Sequence, residues 1–238
     1  MKRKNLIFCL SVALVILLLS VWMISDLRHW PSRKLIETNL DPQCPMVALT
    51  FDDGPQRPYT EQVLNILYDQ QVPATFFLLG EHICDNEPIL KDMAACGHEL
   101  ANHSFSHRDF TTLTESELLF EVSETQSALS VILPNYRMQY IRPPYGHCTP
   151  NLEKVSNLPV VLWDIDSGDW EHPNADFIYL RVTSAVKDGD IIIFHDDNEE
   201  TVKALPKIIQ NLKERGFQFA TVSQLNACRP ESTNCRIS

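Results

Sequence analysis

The sequence is short of positive charge. It holds 20 Lys and Arg residues against 31 Asp and Glu residues, which gives a formal net charge of −11 over 238 residues. A protein that binds a polyanion such as nucleic acid needs the opposite sign, because Lys and Arg neutralise the phosphates. We therefore exclude nucleic acid as a partner and expect a neutral or cationic substrate.

No two cysteines have the C-x-x-C spacing of a structural zinc site, although the chain contains seven cysteines. Cys9 lies in an apolar segment, and the other six can pair if the chain is exported to an oxidising compartment. Cys84 with Cys96 and Cys228 with Cys235 are the pairs that we consider, and free thiols are the alternative. A bound metal would have to use Asp and His side chains.

Internal repeats and low-complexity tracts are also missing, and the chain has only seven glycines. The hydrophobic share of 44% is enough for one sizeable core at this length. We predict one domain over residues 46–238, preceded by a linker over residues 26–45.

An uncharged run from Leu6 to Ile24 directly follows the basic start Lys2-Arg3-Lys4. At about 1.5 Å per residue, this run is long enough to cross a hydrocarbon core of roughly 30 Å. Positive residues stay on the cytoplasmic side of a membrane. We therefore predict that residues 1–25 form a signal anchor or, as the alternative, a cleaved signal peptide. The rest of the chain would be extracytoplasmic, either membrane-anchored or released as a secreted or periplasmic protein.

From residue 46 onward, strand-like apolar runs alternate with amphipathic helical stretches. This alternation predicts an α/β fold with a largely parallel sheet. The predicted strands cover residues 46–51, 74–79, 99–102, 140–142, 160–164, 191–194 and 217–221. The predicted helices cover residues 59–70, 87–95, 115–132, 150–156, 176–186 and 199–215.

Two adjacent carboxylates, Asp52 and Asp53, end the first predicted strand, and His103 and His107 follow the third. Imidazoles and one carboxylate hold a divalent transition metal well, and hydrolytic sites of this kind leave one position open for water. The second carboxylate is then free to act as a base. Taken singly, the two motifs are also typical of a turn and of an exposed helix face, so the interpretation depends on the rest of the chain.

Three further polar clusters follow predicted strand ends. They are Arg142-Pro143-Pro144-Tyr145-Gly146, the segment from Asp164 to Trp170, and His195-Asp196. In parallel α/β barrels, catalytic groups collect at the C-terminal ends of the strands. The five clusters therefore predict one active site at that end of the sheet.

The five motifs, in this order, resemble those of the polysaccharide deacetylases of carbohydrate esterase family 4. The resemblance covers residues 46 to about 225, and it implies a distorted (β/α) barrel with about seven parallel strands. Ile193 is a mild departure, since family members more often have Leu there. The matching segments are Thr50-Phe51-Asp52-Asp53-Gly54-Pro55, His103-Ser104-Phe105-Ser106-His107, Arg142-Pro143-Pro144-Tyr145-Gly146, Asp166-Ser167-Gly168-Asp169-Trp170 and Ile193-Phe194-His195-Asp196.

The resemblance implies a metal site and a base. Asp53, His103 and His107 would bind a divalent metal, with zinc expected and cobalt or manganese as alternatives. Asp52 would be the general base, and Arg142 would position it. A carboxylate beside a metal and an arginine stays ionised, so Asp52 needs positioning more than a raised pKa.

The resemblance also implies an acid and a substrate pocket. His195 would protonate the leaving amine, while Asp169 accepts a hydrogen bond from its other ring nitrogen and fixes the tautomer. Tyr145 would stabilise the tetrahedral oxyanion through its backbone N–H. Trp170 and Ile193 would line the pocket for the acetyl methyl group.

These residues predict a metal-dependent hydrolase that removes N-acetyl groups from N-acetylglucosamine residues of a peptidoglycan-type or chitin-type glycan. The product would be acetate, and we expect a monomer. Two alternatives remain: an O-acetyl ester hydrolase acting on a polysaccharide, and a carbohydrate-binding protein without activity. The second alternative would predict loss of the base, a metal ligand or the acid, and the sequence keeps all of them.

Overall fold

The structure is a computed structural model that describes residues 33–172 and 174–229. The predicted membrane segment, residues 1–25, lies outside these ranges. Within them, none of the helices has both the length and the apolar character needed to span a bilayer.

Strands and helices alternate along the described chain. The strands are β1 (Met46–Asp52), β2 (Thr75–Leu78), β3 (Glu99–Asn102), β4 (Ile165–Asp166), β5 (Ile191–His195) and β6 (Gln218–Ala220). The helices are α1 (Tyr59–Asp69), α2 (Glu87–Cys96), α3 (Glu115–Ile132), α4 (Leu152–Ser156), α5 (Ala175–Ala185), α6 (Glu199–Glu214) and α7 (Val222–Cys228). The α/β prediction is confirmed.

The strands pair in parallel in the order β3-β2-β1-β5-β4, and β6 also pairs with β1. Strand β1 is buried along its whole length, as expected for the apolar centre of a sheet covered by helices. In its register with β5, Asp52 is the direct partner of His195. The C-terminal ends of these two strands therefore bring the predicted base and the predicted acid side by side.

The predicted strand at 140–142 is reduced to Ile141, which forms isolated parallel bridges with Asn102 and Val160. Hydrogen bonding thus continues from β3 through Ile141 to the segment that leads into β4. The predicted strand at 160–164 is displaced, and β4 begins at Ile165. The reason is a change of partner, because Val161 bonds to Ile141 whereas Asp164 already bonds to Ile191.

The predicted Cys84–Cys96 disulfide is wrong, because both side chains are free thiols. Cys84 is exposed and precedes α2, whereas Cys96 is buried in the last turn of the same helix. At about 1.5 Å per residue, the helix keeps the two residues more than about 10 Å apart, and a disulfide needs Cα atoms within about 7 Å. The Cys228–Cys235 pair falls partly outside the described residues.

Of the predicted linker, residues 33–45 are described, and they lie against the domain. Ile36 is buried, and its N–H donates to the carbonyl of Cys96 at the end of α2. The N–H of Asp41 donates to Oε1 of Gln218 at the start of β6, over 2.8 Å. This part of the chain therefore contributes to the packing of the domain.

Candidate active site

One cavity of about 620 Å³ lies at the C-terminal ends of the strands. Eight of the ten predicted site residues line it: Asp52, Asp53, His103, His107, Tyr145, Trp170, Ile193 and His195. The other two, Arg142 and Asp169, lie directly behind the lining, in contact with Asp52 and His195. The structure thus brings together all the residues that the five motifs predicted.

Asp53, His103 and His107 face one another across the cavity floor. Oδ1 of Asp53 lies 3.4 Å from Nε2 of His103 and 3.3 Å from Nε2 of His107, and one ligand atom of each residue lies within 4.8 Å of the others. This carboxylate oxygen is buried and accepts no hydrogen bond from the described residues. Burial opposes the charge of Asp53, yet the imidazoles of His103, His195 and His107 together lower its pKa to about 2. Two imidazole nitrogens and an orphaned carboxylate oxygen fit a divalent metal of the zinc type.

The loop after β3 orients the two histidines. Nδ1 of His103 donates to the carbonyl of Arg142 over 2.8 Å, so Nε2 keeps a lone pair for a metal. His107 adopts a left-handed backbone conformation with φ 57°, and its N–H donates to Oγ of Ser104 over 2.9 Å. The two Nε2 atoms therefore converge on Asp53.

The turn that carries Asp53 packs on a buried acid. Asp53 has φ 73°, and a side chain added at Gly54 would place its Cβ only 2.2 Å from Oδ2 of Asp196. Asp196 is fully buried, and burial raises its pKa to about 7. The hydroxyl of Thr60 lies 2.7 Å from the same oxygen, Oδ2. Only a glycine fits at position 54.

Arg142 is fully buried behind Asp52. Its Nη1 donates to Oδ1 of Asp52 over 2.7 Å and to Oγ1 of Thr50 over 2.9 Å. Its Nε and Nη2 donate to the carbonyls of Val161 and Leu162 over 3.1 and 3.0 Å. A guanidinium with this many acceptors has one orientation, so it fixes the orientation of the Asp52 carboxylate.

Asp169 holds His195 by two contacts. Nδ1 of the ring lies 2.8 Å from Oδ1 of Asp169, and the backbone N–H of His195 donates to Oδ2 over 2.8 Å. Oδ2 also accepts from the hydroxyl of Thr201 over 2.6 Å. Burial works against a charged ring, yet Asp169 raises the pKa of His195 to about 10. The ring is therefore protonated at neutral pH, with Nε2–H left for the cavity.

The predicted substrate-binding residues form the wall of the cavity. Tyr145 has φ 61° and is 60% exposed, with its ring centroid 4.6 Å from that of His107. Trp170 is 62% exposed, and its Nε1 donates to Asp166 over 3.3 Å. Ile193 is buried in β5 at the cavity floor. Large aromatic side chains left in water at a cavity rim are typical of a binding surface.

The other lining residues had no predicted individual role. Three of them, Pro143, Gly146 and Asp166, lie inside the predicted strand-end clusters. The other four are close to those clusters in sequence, so proximity to a motif was the available signal; they are Trp163, Asp197, Asn198 and Glu199. Glu121 was missed for a different reason. It lies on α3, outside every motif, and its carboxylate contacts the His103–His107 loop.

Comparison with known proteins gives consistent matches. The sequence pattern of the family described as polysaccharide deacetylase matches residues 39–160. The chain is 37% identical over 195 residues to the peptidoglycan-N-acetylmuramic acid deacetylase PdaC of Bacillus subtilis, which is 82% of this chain but 42% of that protein. It is 34% identical over 196 residues to the chitooligosaccharide deacetylase of Sinorhizobium fredii, covering 76% of this chain and 91% of that protein.

The fold also matches a solved structure. A family 4 carbohydrate esterase from Streptomyces lividans, in complex with acetate, superposes with a TM-score of 0.71 and 33% identity. The match covers 76% of this chain and 95% of that one. The chain is therefore similar to these proteins through nearly the whole of the domain described above.

Proposed function

The chain belongs to the polysaccharide deacetylase family, and from this membership we propose that it is a metal-dependent hydrolase removing N-acetyl groups from N-acetylglucosamine residues of a glycan. The substrate would be of peptidoglycan or chitin type, and the product acetate. The names of the two relatives, one a deacetylase of N-acetylmuramic acid in peptidoglycan and one of chitooligosaccharides, support a glycan of peptidoglycan or chitin type.

One observation carries the proposal. The buried Oδ1 of Asp53 accepts no hydrogen bond from the described residues and faces two imidazole nitrogens. A second carboxylate, Asp52, lies beside it with an arginine behind. Burying an oxygen atom without a hydrogen-bond partner costs free energy unless a ligand binds it. A divalent metal held by Asp53, His103 and His107 would be such a ligand. We propose zinc, because this donor set suits it best.

Different residues around this site would have different roles in amide hydrolysis. When bound, the metal would supply Lewis-acid polarisation of the acetyl carbonyl. Asp52, oriented by the hydrogen bond from Arg142, takes a proton from the attacking water. The backbone N–H of Tyr145 would donate to the developing oxyanion.

The leaving group then needs a proton. His195 is protonated at neutral pH because Asp169 supports its charge, and Nε2–H is the donor toward the amine nitrogen. Asp52 and His195 are direct partners across β1 and β5, so the base and the acid act on the same bond from neighbouring strands. Trp170 and Ile193 would exclude water from the acetyl methyl group. The barrel expected of the family supports this placement at the C-terminal ends of the strands.

We also propose that the protein acts outside the cytoplasm as a monomer anchored by its N-terminal segment. The support is the uncharged run from Leu6 to Ile24 behind Lys2-Arg3-Lys4. Amino-sugar polymers of the peptidoglycan type would be met there.

Acetate release tests the function. The full chain, purified in detergent, is incubated with N-acetylglucosamine oligomers, peptidoglycan or acetylated xylan, with zinc and after chelation. We expect chelator-sensitive acetate release from at least one of the first two, restored by zinc. Acetate from acetylated xylan alone would identify an ester hydrolase. No release from any substrate, with metal bound, would identify a binding protein.

A further inference from the structure

Glu121 lies on α3, outside all five motifs, and the residue is only 2% exposed. Its Oε2 accepts hydrogen bonds from the backbone N–H groups of Phe105 and Ser106, over 2.9 and 2.8 Å. Its Oε1 accepts from the hydroxyl of Ser106 over 2.7 Å. All three donors belong to the loop between His103 and His107.

This loop has a strained backbone. Ser104 has φ 75° and His107 has φ 57°, so two residues that carry side chains adopt the left-handed region within four positions. Each such residue costs of order 1–3 kcal/mol and persists only when its surroundings fix it. The loop therefore needs compensating contacts to hold its conformation.

The hydrogen bonds of the loop supply that compensation, and Glu121 accepts two of the four that the backbone N–H groups of residues 104–107 donate. The N–H of Ser104 donates to Oδ1 of Asn102, and that of His107 donates to Oγ of Ser104. The two N–H groups between them, of Phe105 and Ser106, both donate to Glu121. Two of these four consecutive N–H groups would therefore lose their acceptor without this carboxylate.

We propose that Glu121 is a positioning residue that holds the His103–His107 loop in its metal-binding conformation before the ion arrives. The proposal rests on the metal site of the proposed function. Glu121 does not line the cavity, so its effect would reach the reaction through the two histidines. A charged acceptor makes stronger hydrogen bonds to backbone N–H groups than a neutral one, which is why a carboxylate suits this position.

The consequence is specific to metal affinity. Without Glu121 the loop relaxes from its left-handed residues, and binding the ion must then include the cost of restoring them. The stabilisation that zinc gives to the folded protein decreases by the same amount. Turnover per bound metal stays near that of the wild type, since Glu121 touches neither substrate nor reacting atoms.

The test compares three variants of the full chain. Glu121→Gln keeps the size and one carbonyl oxygen but removes the charge, and Ser106→Ala removes only the hydroxyl contact. Glu124→Gln is the matched control, because Glu124 lies on the same helix and makes none of the three hydrogen bonds. Zinc affinity is measured by competition with a chromogenic chelator, and melting temperature is measured with zinc and with chelator.

We expect Glu121→Gln to weaken zinc binding by about 10–100-fold and to reduce the rise in melting temperature that zinc produces. Ser106→Ala should weaken binding by about fivefold, as expected for one hydrogen bond. If Glu121→Gln fails to fold, the zinc affinity of Ser106→Ala is used to test the proposal instead. Unchanged affinity in a folded variant, with an equal loss of melting temperature in zinc and in chelator, would make the role of Glu121 purely structural and overturn the proposal. Failure of the wild-type chain to bind zinc would instead overturn the metal site.

Discussion

Replacing Asp169 with Asn tests whether Asp169 keeps His195, the proposed acid of this site, protonated. In the wild type, one carboxylate oxygen faces Nδ1 of His195, and the other accepts from the backbone N–H of His195 and from Thr201. An Asn that keeps the second oxygen in place turns its amide nitrogen toward Nδ1. Two N–H donors then face each other, which disfavours the protonated ring.

The magnitude follows from the pKa of His195. Despite the opposing effect of burial, Asp169 and, to a smaller extent, Asp52 and Asp53 raise it from 6.5 to about 10. At about 1.36 kcal/mol for each tenfold change in acidity, this corresponds to a few kcal/mol favouring the charged ring. If Asp169→Asn returns the pKa to 6.5, only about one ring in ten is protonated at pH 7.5.

The assay is kcat against pH, from pH 5.5 to 10. The wild type should keep its activity until the alkaline limb set by His195. In Asp169→Asn this limb moves toward pH 6.5, with about a tenfold loss at pH 7.5 and recovery at lower pH. Metal charge shifts the limb of both proteins, so the difference between them is the measured quantity. Glu171→Gln, an exposed neighbour, is the control and should leave the limb in place.

The free energy of unfolding should also depend on pH through His195. A folded-state pKa above the unfolded value gives stabilisation that is complete below about pH 6.5 and disappears as the pH rises through about 10. Urea unfolding should show this pH dependence in the wild type and a weaker one in Asp169→Asn. Identical alkaline limbs in the two proteins would refute the assignment of His195 as the acid supported by Asp169.

Three further changes have defined outcomes. Asp52→Asn should keep stoichiometric metal but lose about 10²–10⁴-fold in kcat, and wild-type turnover at full metal occupancy would exclude Asp52 as the base. Arg142→Lys keeps the charge but leaves buried acceptors unsatisfied, so urea unfolding should show a loss of about 1–3 kcal/mol for each one left without a donor. Gly54→Ala places a Cβ 2.2 Å from Oδ2 of Asp196, so metal affinity and melting temperature should both fall, and an unchanged melting temperature would contradict the close packing described here.

Helix α3 was predicted with the limits that the structure has, residues 115–132, and Thr114 and Glu117 form a capping box at its start. A similar box, Thr221 with Gln224, begins α7, which was not predicted. Helix α7 has only seven residues, which is too short for a helical periodicity to show in the sequence.

Strands and cysteines depended on contacts that sequence spacing does not give. The chain around Ile141 pairs at a single residue, and β4 begins later than its apolar pattern suggested. Cys84 and Cys96 are close in sequence, but the intervening helix separates them. The grouping of the ten site residues was predicted because each lies near or just after the C-terminal end of a predicted strand, and their individual roles stay predictions. Glu121 could not be found, since its partners are fixed only by the folded packing of α3 against the loop.

Because Asp52 and His195 are paired directly across two strands, the spacing between the proposed base and the proposed acid does not depend on the loops around the cavity. Neighbouring strands in a sheet lie about 4.8 Å apart regardless of the loops that follow them. The distance between these two residues is therefore set by the hydrogen-bonded backbone of the sheet. Segments that follow the strands can then lengthen, shorten or be exchanged between relatives without altering it. For protein engineering, this means that loops beyond the five motifs can be exchanged to change the glycan preference while the spacing between Asp52 and His195 is kept.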